Sequence, residues 1–425
     1  MKKENKILSI FQWFIYLLAN SIAIPIVVGD IFQLSAAEIS SLMQRVFFII
    51  GLSSIIQAKF GHRYPIADGP AGSWVSIFVI YASIGMEVGK SMTEVLQILM
   101  AGLFISGLIL FLLGITKWVR SIVFLFTPIV TGTFLLILAI QLSGVFLKGM
   151  AIDNESQMDL GSFMLSLMVF FLIILLSTKG KGWIKSYAVL IGILFGWLLF
   201  AILKRDASSL SISKEIIELP KLFVWGFPEM NISIVITAIL FTFLLISNTI
   251  ASISSIEEAI PSSQKPYIER LYSGTWVGGI THLLTSIFST VGIVPLPATA
   301  GFVKLTKQYR ITPFIFACGL LIAISLFPSI VGILSSLPLQ VASAALLATL
   351  IEMYGIAYRS LRKQPFDLRN GIIIVVSLVV GVTSMNIPRE IYSDLPTVFQ
   401  YILSNGLLIG TIMAISLEQF LKIKR

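Results

Sequence analysis

Apolar runs long enough to cross a bilayer recur along the whole chain, and short polar turns separate them. They fall at residues 8 to 29, 40 to 58, 70 to 86, 93 to 115, 121 to 147, 160 to 178, 183 to 203, 231 to 253, 274 to 290, 296 to 307, 312 to 335, 338 to 358, 371 to 386 and 396 to 421. The pattern predicts an all-α polytopic membrane protein of about fourteen spans, of which the third and tenth are short. The longest polar segment, residues 204 to 230, separates two halves of about seven spans each.

The third and tenth runs carry a matching interruption. DGPAGSW at residues 68 to 74 resembles PLPATAG at 295 to 301, with Pro70 opposite Pro297 and Ala71 opposite Ala298. The offset of 227 residues is close to the 223 that separates the first spans of the two halves. Seven is odd, so the second copy enters the membrane inverted, the arrangement in which Gly/Pro-interrupted segments mark a transporter's substrate site. Non-helical backbone at membrane depth needs protein partners or a polar cavity. Ile66 to Gly69 and Ile293 to Leu296 are therefore expected to pair across the middle. Pro70 and Pro297 are expected to open short helices whose first N–H groups can meet a ligand.

Composition agrees with the membrane reading: 56% of residues are hydrophobic and 12% charged, with a mean hydropathy of +0.95. The net charge of +9 does not point to nucleic acid, because 22 of the 30 Lys and Arg fall on alternate turns that form one face. That excess fixes the orientation, with both termini cytoplasmic in a cell-membrane protein surrounded by lipid. The basic start MKKENK precedes an apolar run longer than a signal peptide's, so it reads as a retained first span. Cys318 is the only cysteine, which excludes an intrachain disulfide and a thiolate metal cluster. Arg45 and Glu352 lie one to two turns inside a boundary and are expected to snorkel out of it. His282 in the ninth run serves either a helix–helix hydrogen bond or function.

These stretches resemble the nucleobase/ascorbate transporter family, the uracil, xanthine and purine permeases. Gln12 and Pro25 sit as in that family's first span, with Trp13 where the family typically has His. YPIADGPAGSW at 64 to 74 corresponds to the stretch before its third span, and SIFSTVGIVPLPATAGFVKLTK at 286 to 307 lines up without gaps on its signature around the tenth. The resemblance implies two inverted seven-span repeats. A core domain, residues 1–115 and 231–335, would hold the substrate; a gate domain, residues 116–203 and 336–425, would move against it, and 204–230 would link the repeats outside. It further implies a nucleobase substrate, purine or uracil, a coupling ion, H+ or Na+, no cofactor, and a homodimer. The substrate-binding residues it suggests are Gln12, Ala71, Gly72, Ser73, Asn248, Ser252, Ala298 and Thr299.

Departures from the family fall at the chemistry. Asn248 stands where the family has a base-binding glutamate, Ser252 at its aspartate, and Ala298-Thr299 at its Glu-Asn or Gln-Asn pair. An amide at 248 can still read an N–H/C=O edge but takes up no proton. Asp68 is the only acidic residue in the two matched stretches. It is the candidate proton-coupling site, the other reading being a cap of the short third helix at the cytoplasmic mouth, facing Arg63 or Lys304. A small-anion transporter on the same fold is the alternative function, since paired helix starts suit an anion and the lost family carboxylates would remove repulsion. An intramembrane enzyme or sensor is the third class, and the chain has no HExxH, GxSxG or Cys/His constellation for it.

Overall fold

The computed structural model describes residues 6–151, 158–203, 215–260, 267–365, 367–388, 391 and 395–421. Of the expected inner-face charges, Lys2, Lys3, Lys265, Lys422, Lys424 and Arg425 lie outside these residues, as do 204–214 of the linker. The first half contains α1 (Lys6–Ser21), α2 (Ala23–Ile31), α3 (Ala36–Lys59), β1 (Asp68–Pro70), α4 (Gly72–Glu87), α5 (Met92–Ile115), α6 (Arg120–Val123), α7 (Pro128–Ala151), α8 (Leu160–Lys179), α9 (Trp183–Ser186) and α10 (Ala188–Leu203). The second contains α11 (Ile232–Ala259), α12 (Tyr267–Ile287), β2 (Ile293–Pro295), α13 (Thr299–Thr306), α14 (Ile311–Ser325), α15 (Pro328–Ser335), α16 (Leu339–Leu361), α17 (Leu368–Asn386), α18 (Thr397–Leu403) and α19 (Gly406–Phe420).

Each expected span contains helix, and the chain is a multi-pass helical membrane protein. Among the described residues, 8 helices are long and apolar enough to cross a membrane alone. Several spans are broken rods, the first of these eight among them. The first run divides at Ile22 because Pro25 has no N–H to return to the turn before it. α14 and α15 meet at 92° where Phe327, extended ahead of Pro328, leaves the helix. α13 has 8 residues, a length of about 12 Å, and cannot cross alone. The expected helix starts at Pro70 and Pro297 are corrected by two residues: Pro70 lies within β1, and the helices open at Gly72 and Thr299. A proline offers the ladder no N–H, so it takes a strand position whose backbone faces outward.

Helix ends and contacts are encoded locally. Ser35 with Glu38 and Ser91 with Glu94 form capping boxes at the starts of α3 and α5. α5 packs on α12 backbone to backbone, since a Cβ at Gly107 would strike Leu283 N and Gly279 O, and one at Gly279 would strike Phe111 N. Such close approach is how helices associate where no hydrophobic effect drives them together. α3 also lies against α14 and α15, and α1 against α14, whereas α16 packs on α7 and α8, and α17 and α19 on each other and on α7. The described part of the linker crosses one end: Phe223 N–H bonds Ile287 O and Glu229 N–H bonds Gln97 O.

At the centre, β1 and β2 pair antiparallel with Asp68 opposite Pro295, Gly69 opposite Val294 and Pro70 opposite Ile293. Ala71 N–H to Gly292 O at 2.8 Å and Leu296 N–H to Ala67 O at 2.9 Å extend the ladder at both ends. All six strand residues are buried. Non-helical backbone is thus carried at depth by mutual pairing, as the two interrupted stretches require.

Candidate functional site

The ribbon places the starts of α4 and α13 at its opposite ends, about 13 Å apart along the four residues from Ala67 to Ala71. At these starts the N–H groups of Gly72, Ser73 and Ala298 have no protein acceptor among the described residues, whereas Ala71 N–H is spent on Gly292 O. The expected cradle around Ala71 is therefore moved one residue on, to Gly72 and Ser73. At α13 the N–H groups of Thr299, Ala300 and Gly301 close tight turns onto Leu296, Pro297 and Ala298.

Alternation in an antiparallel ladder leaves Pro295 C=O and Asp68 N–H pointing out of the ribbon. Each is met by a side chain. Asn248 Nδ2 donates to Pro295 O at 2.9 Å and Ser252 Oγ donates to the same oxygen at 2.7 Å. The two residues are one helical turn apart on α11, so both face the strand. Ser54 Oγ accepts from Asp68 N–H at 3.0 Å. Asn248 and Ser252, expected to read the substrate, hold β2 in place; the second N–H and the Oδ1 of the Asn248 amide are left over among the described residues. A carboxylate at either position would set acceptor against acceptor, which gives a physical reason for the neutral residues.

The other expected residues divide. Thr299 is fully buried and its hydroxyl accepts from Ala67 N–H at 3.3 Å, tying α13 to the lead-in of β1. Ser73 is buried in the first turn of α4. Gln12 does not join this group: its Oε1 accepts from Gln308 Nε2 at 3.0 Å, beyond the far end of α13. Asp68 is 2% exposed, and its carboxyl lies behind the ribbon near Ser53 and Cys318. It neither caps α4 nor sits in an open mouth.

Arg45 departs from its sequence expectation, His282 takes the first of its two, and Tyr16 had none. Arg45 does not snorkel; it is buried and donates from Nε to Ser41 O and from Nη1 to Phe288 O and Ser289 O, closing the C-terminal end of α12. His282 makes a helix–helix bond, accepting at Nε2 from Trp74 Nε1 at 3.0 Å. Tyr16, unmarked in the sequence, stacks on Phe302 at 4.3 Å and lies beside Thr299. Its only sequence signal is its place one turn after Gln12.

Helices of the other group cover the site. A Cβ at Gly72 would meet Leu142 of α7, and one at Gly301 would collide with Glu352 Oε1 of α16. A cavity of about 300 Å3 opens between α11, α7 and the end of α16, lined by Ile250, Ala251, Ser254, Thr131, Leu135 and Arg359. That volume is at the lower end for small-molecule sites. Across its rim Lys363 Nζ bridges Glu258 Oε1 at 2.6 Å.

The architecture is that of a membrane transporter. The transmembrane domain of the cyanobacterial bicarbonate transporter BicA superposes with a TM-score of 0.68 at 13% identity, over 97% of this chain and 98% of that one. SLC26A9 gives 0.62 at 11% identity, over 100% of this chain and 67% of its own. The chain belongs to the Permease family (Xan_ur_permease), whose model matches residues 5–390. It is 32% identical to "Putative purine permease YwdJ" of Bacillus subtilis over 97% of this chain and 95% of that protein. It is 26% identical to the xanthine permease of the same organism over 94% and 90%, and 24% identical to its uric acid permease PucJ over 100% and 94%. The protein is a permease, not an enzyme.

Proposed function

We propose that the protein is a secondary active permease that brings a purine base into the cell, driven by a proton gradient. The observation that carries this reading is the pair of helix starts with unpaired N–H groups at Gly72, Ser73 and Ala298, beside the spare Asn248 donor. These donors suit the ring nitrogens and carbonyl oxygens of an oxidised purine, and the relatives' names point to the same class. The substrate would lie between the two starts, with Leu142 above Gly72.

In this reading the helices before α6, with α11 to α15, form the core, and α7 to α10 with α16 to α19 form the gate. The repeats are inverted, the spans number fourteen, and both termini are cytoplasmic in the cell membrane. The cavity rimmed by Arg359, Lys363 and Glu258 is the cytoplasmic exit. A homodimer, implied by family resemblance, would double the particle mass in detergent. A second reading, transport of a small anion, is favoured by the same free N–H groups with neutral residues at 248 and 298 where the family has carboxylates. Uptake by proteoliposomes separates the two: saturable entry of labelled xanthine, uric acid or hypoxanthine supports the proposal. Uptake of bicarbonate or sulfate with no purine entry transfers the site to the second reading.

A further inference from the structure

Among the described residues, the carboxylates that lie deep in the chain's apolar segments are few. Glu418, near the end of α19, is paired with Arg369 at 3.0 Å, and Asp68, in β1, is sealed behind the ribbon with neither carboxyl oxygen hydrogen-bonded among the described residues. Glu352 is different. It lies nine residues before the end of α16 at Leu361, about 14 Å into the helix. Its side chain is exposed, and it makes no hydrogen bond or ion pair among the described residues. It is not turned to lipid, because its Oε1 abuts Gly301 of α13. A carboxylate at that depth with no partner is expensive and marks function by default.

The surroundings connect it to the site. Tyr16 of α1 lies within electrostatic reach of Glu352 and beside Thr299, at the start of α13. The cations nearest in effect are Arg359, two turns along α16, and Lys185 of α9; Lys304 is the charge on α13 itself. From the other elements packed on α16, Asp30 of α2 and Lys148 of α7 face each other near the opposite end. Lys179 ends α8, and α10 carries no charge.

We propose that Glu352 takes up the coupling proton, one per substrate, in place of the family carboxylates replaced here by Asn248 and Ala298, and that its protonation permits α16 to close on α13. This rests on the permease reading. An ionised Glu352 against Gly301 has gained no partner, and closing α16 further on α13 would strip its remaining water, which opposes closure. With a proton it becomes a neutral donor that an α13 carbonyl can accept, and the gate closes over substrate and proton together. Opening on the other side rehydrates the acid, and the proton leaves.

The test uses Glu352→Gln in proteoliposomes loaded with labelled or unlabelled xanthine. With one proton per substrate, an inward gradient of one pH unit drives about tenfold accumulation in the wild type. Glu352→Gln is expected to exchange internal for external xanthine, yet to reach only equal concentrations under the gradient, while Glu352→Asp recovers part of the accumulation. A substrate-free measurement keeps the proposal separate from the permease reading. In a Cys318→Ser background, thiol labelling of Ser254→Cys in the cavity should rise with pH in the wild type and become independent of pH with Glu352→Gln. Accumulation by Glu352→Gln equal to the wild type, or an unchanged labelling profile, overturns the proposal. Failure of the wild type to move any purine, with the labelling result as expected, overturns the purine reading alone.

Discussion

Pro295 O is the acceptor on which the centre of the site turns, because it has no ladder partner and draws two side-chain donors, Asn248 Nδ2 and Ser252 Oγ. A carbonyl has two lone pairs and accepts both. Removing one donor by Asn248→Ala or Ser252→Ala costs about 1 kcal/mol, the net value of a neutral hydrogen bond, since the other still satisfies the oxygen. Removing both orphans a buried carbonyl and adds about 1 to 3 kcal/mol beyond the sum. The double-mutant cycle should therefore show a coupling of that size, in the range of residues sharing one partner. Xanthine affinity measured by calorimetry should fall about fivefold for each single variant and by two or more decades for the pair. Unfolding in mixed micelles should show the same non-additivity. If the double variant equals the sum of the singles, Pro295 O is not their shared load. If Asn248→Ala alone costs a hundredfold and Ser252→Ala nothing, the amide reads the base directly.

Asp68→Asn keeps the shape of a buried group behind the ribbon, and gradient-driven accumulation should persist in that variant; its loss, with exchange intact, would return the coupling role from Glu352 to Asp68. Arg45→Met leaves the Phe288 and Ser289 carbonyls without their charged donor, so unfolding in mixed micelles should shift by about 3 kcal/mol, and an unchanged transition would show that the contact contributes nothing. In a Cys318→Ser background, cysteines at Lys181 and Arg362 should react only from the cytoplasmic side and one at Lys221 only from outside. Labelling of Lys181 or Arg362 from outside would remove the fourteen-span topology.

The sequence showed the membrane class through run lengths, and it located the ribbon because glycine and proline at membrane depth admit few structures. It could not show where side chains point. Asn248 and Ser252 are spaced to share a face, but that this face meets Pro295 O depends on a strand 43 to 47 residues away. Arg45 read as a snorkelling residue because its acceptors lie 243 and 244 residues on. Glu352 shows the same limit: depth along a helix is identical for a side chain facing lipid, protein or a cavity. Tyr16 read as one more packing aromatic in an apolar helix until Phe302 and Thr299 appeared beside it.

How the parts can move follows from the kind of contact between them. Within the core the contacts are backbone: α5 on α12 through glycine, β1 on β2 through the ladder, and Pro295 O, Asp68 N–H and Ala67 N–H each held by a side chain. Shifting any of these would strand polar groups in a dry interior. Contacts that cross to the gate at the site are side-chain contacts, Leu142 at Gly72, Glu352 at Gly301 and Tyr401 stacked on Tyr81 at 4.0 Å. The exposed Lys363–Glu258 bridge at the rim adds little. These can part without breaking a backbone hydrogen bond, so in the proposed division the gate would travel while the ribbon keeps its two helix starts fixed. Of the crossing contacts at those starts, Leu142 is indifferent to protons and Glu352 is not. A gradient can therefore act on closure at one place, the carboxylate against Gly301.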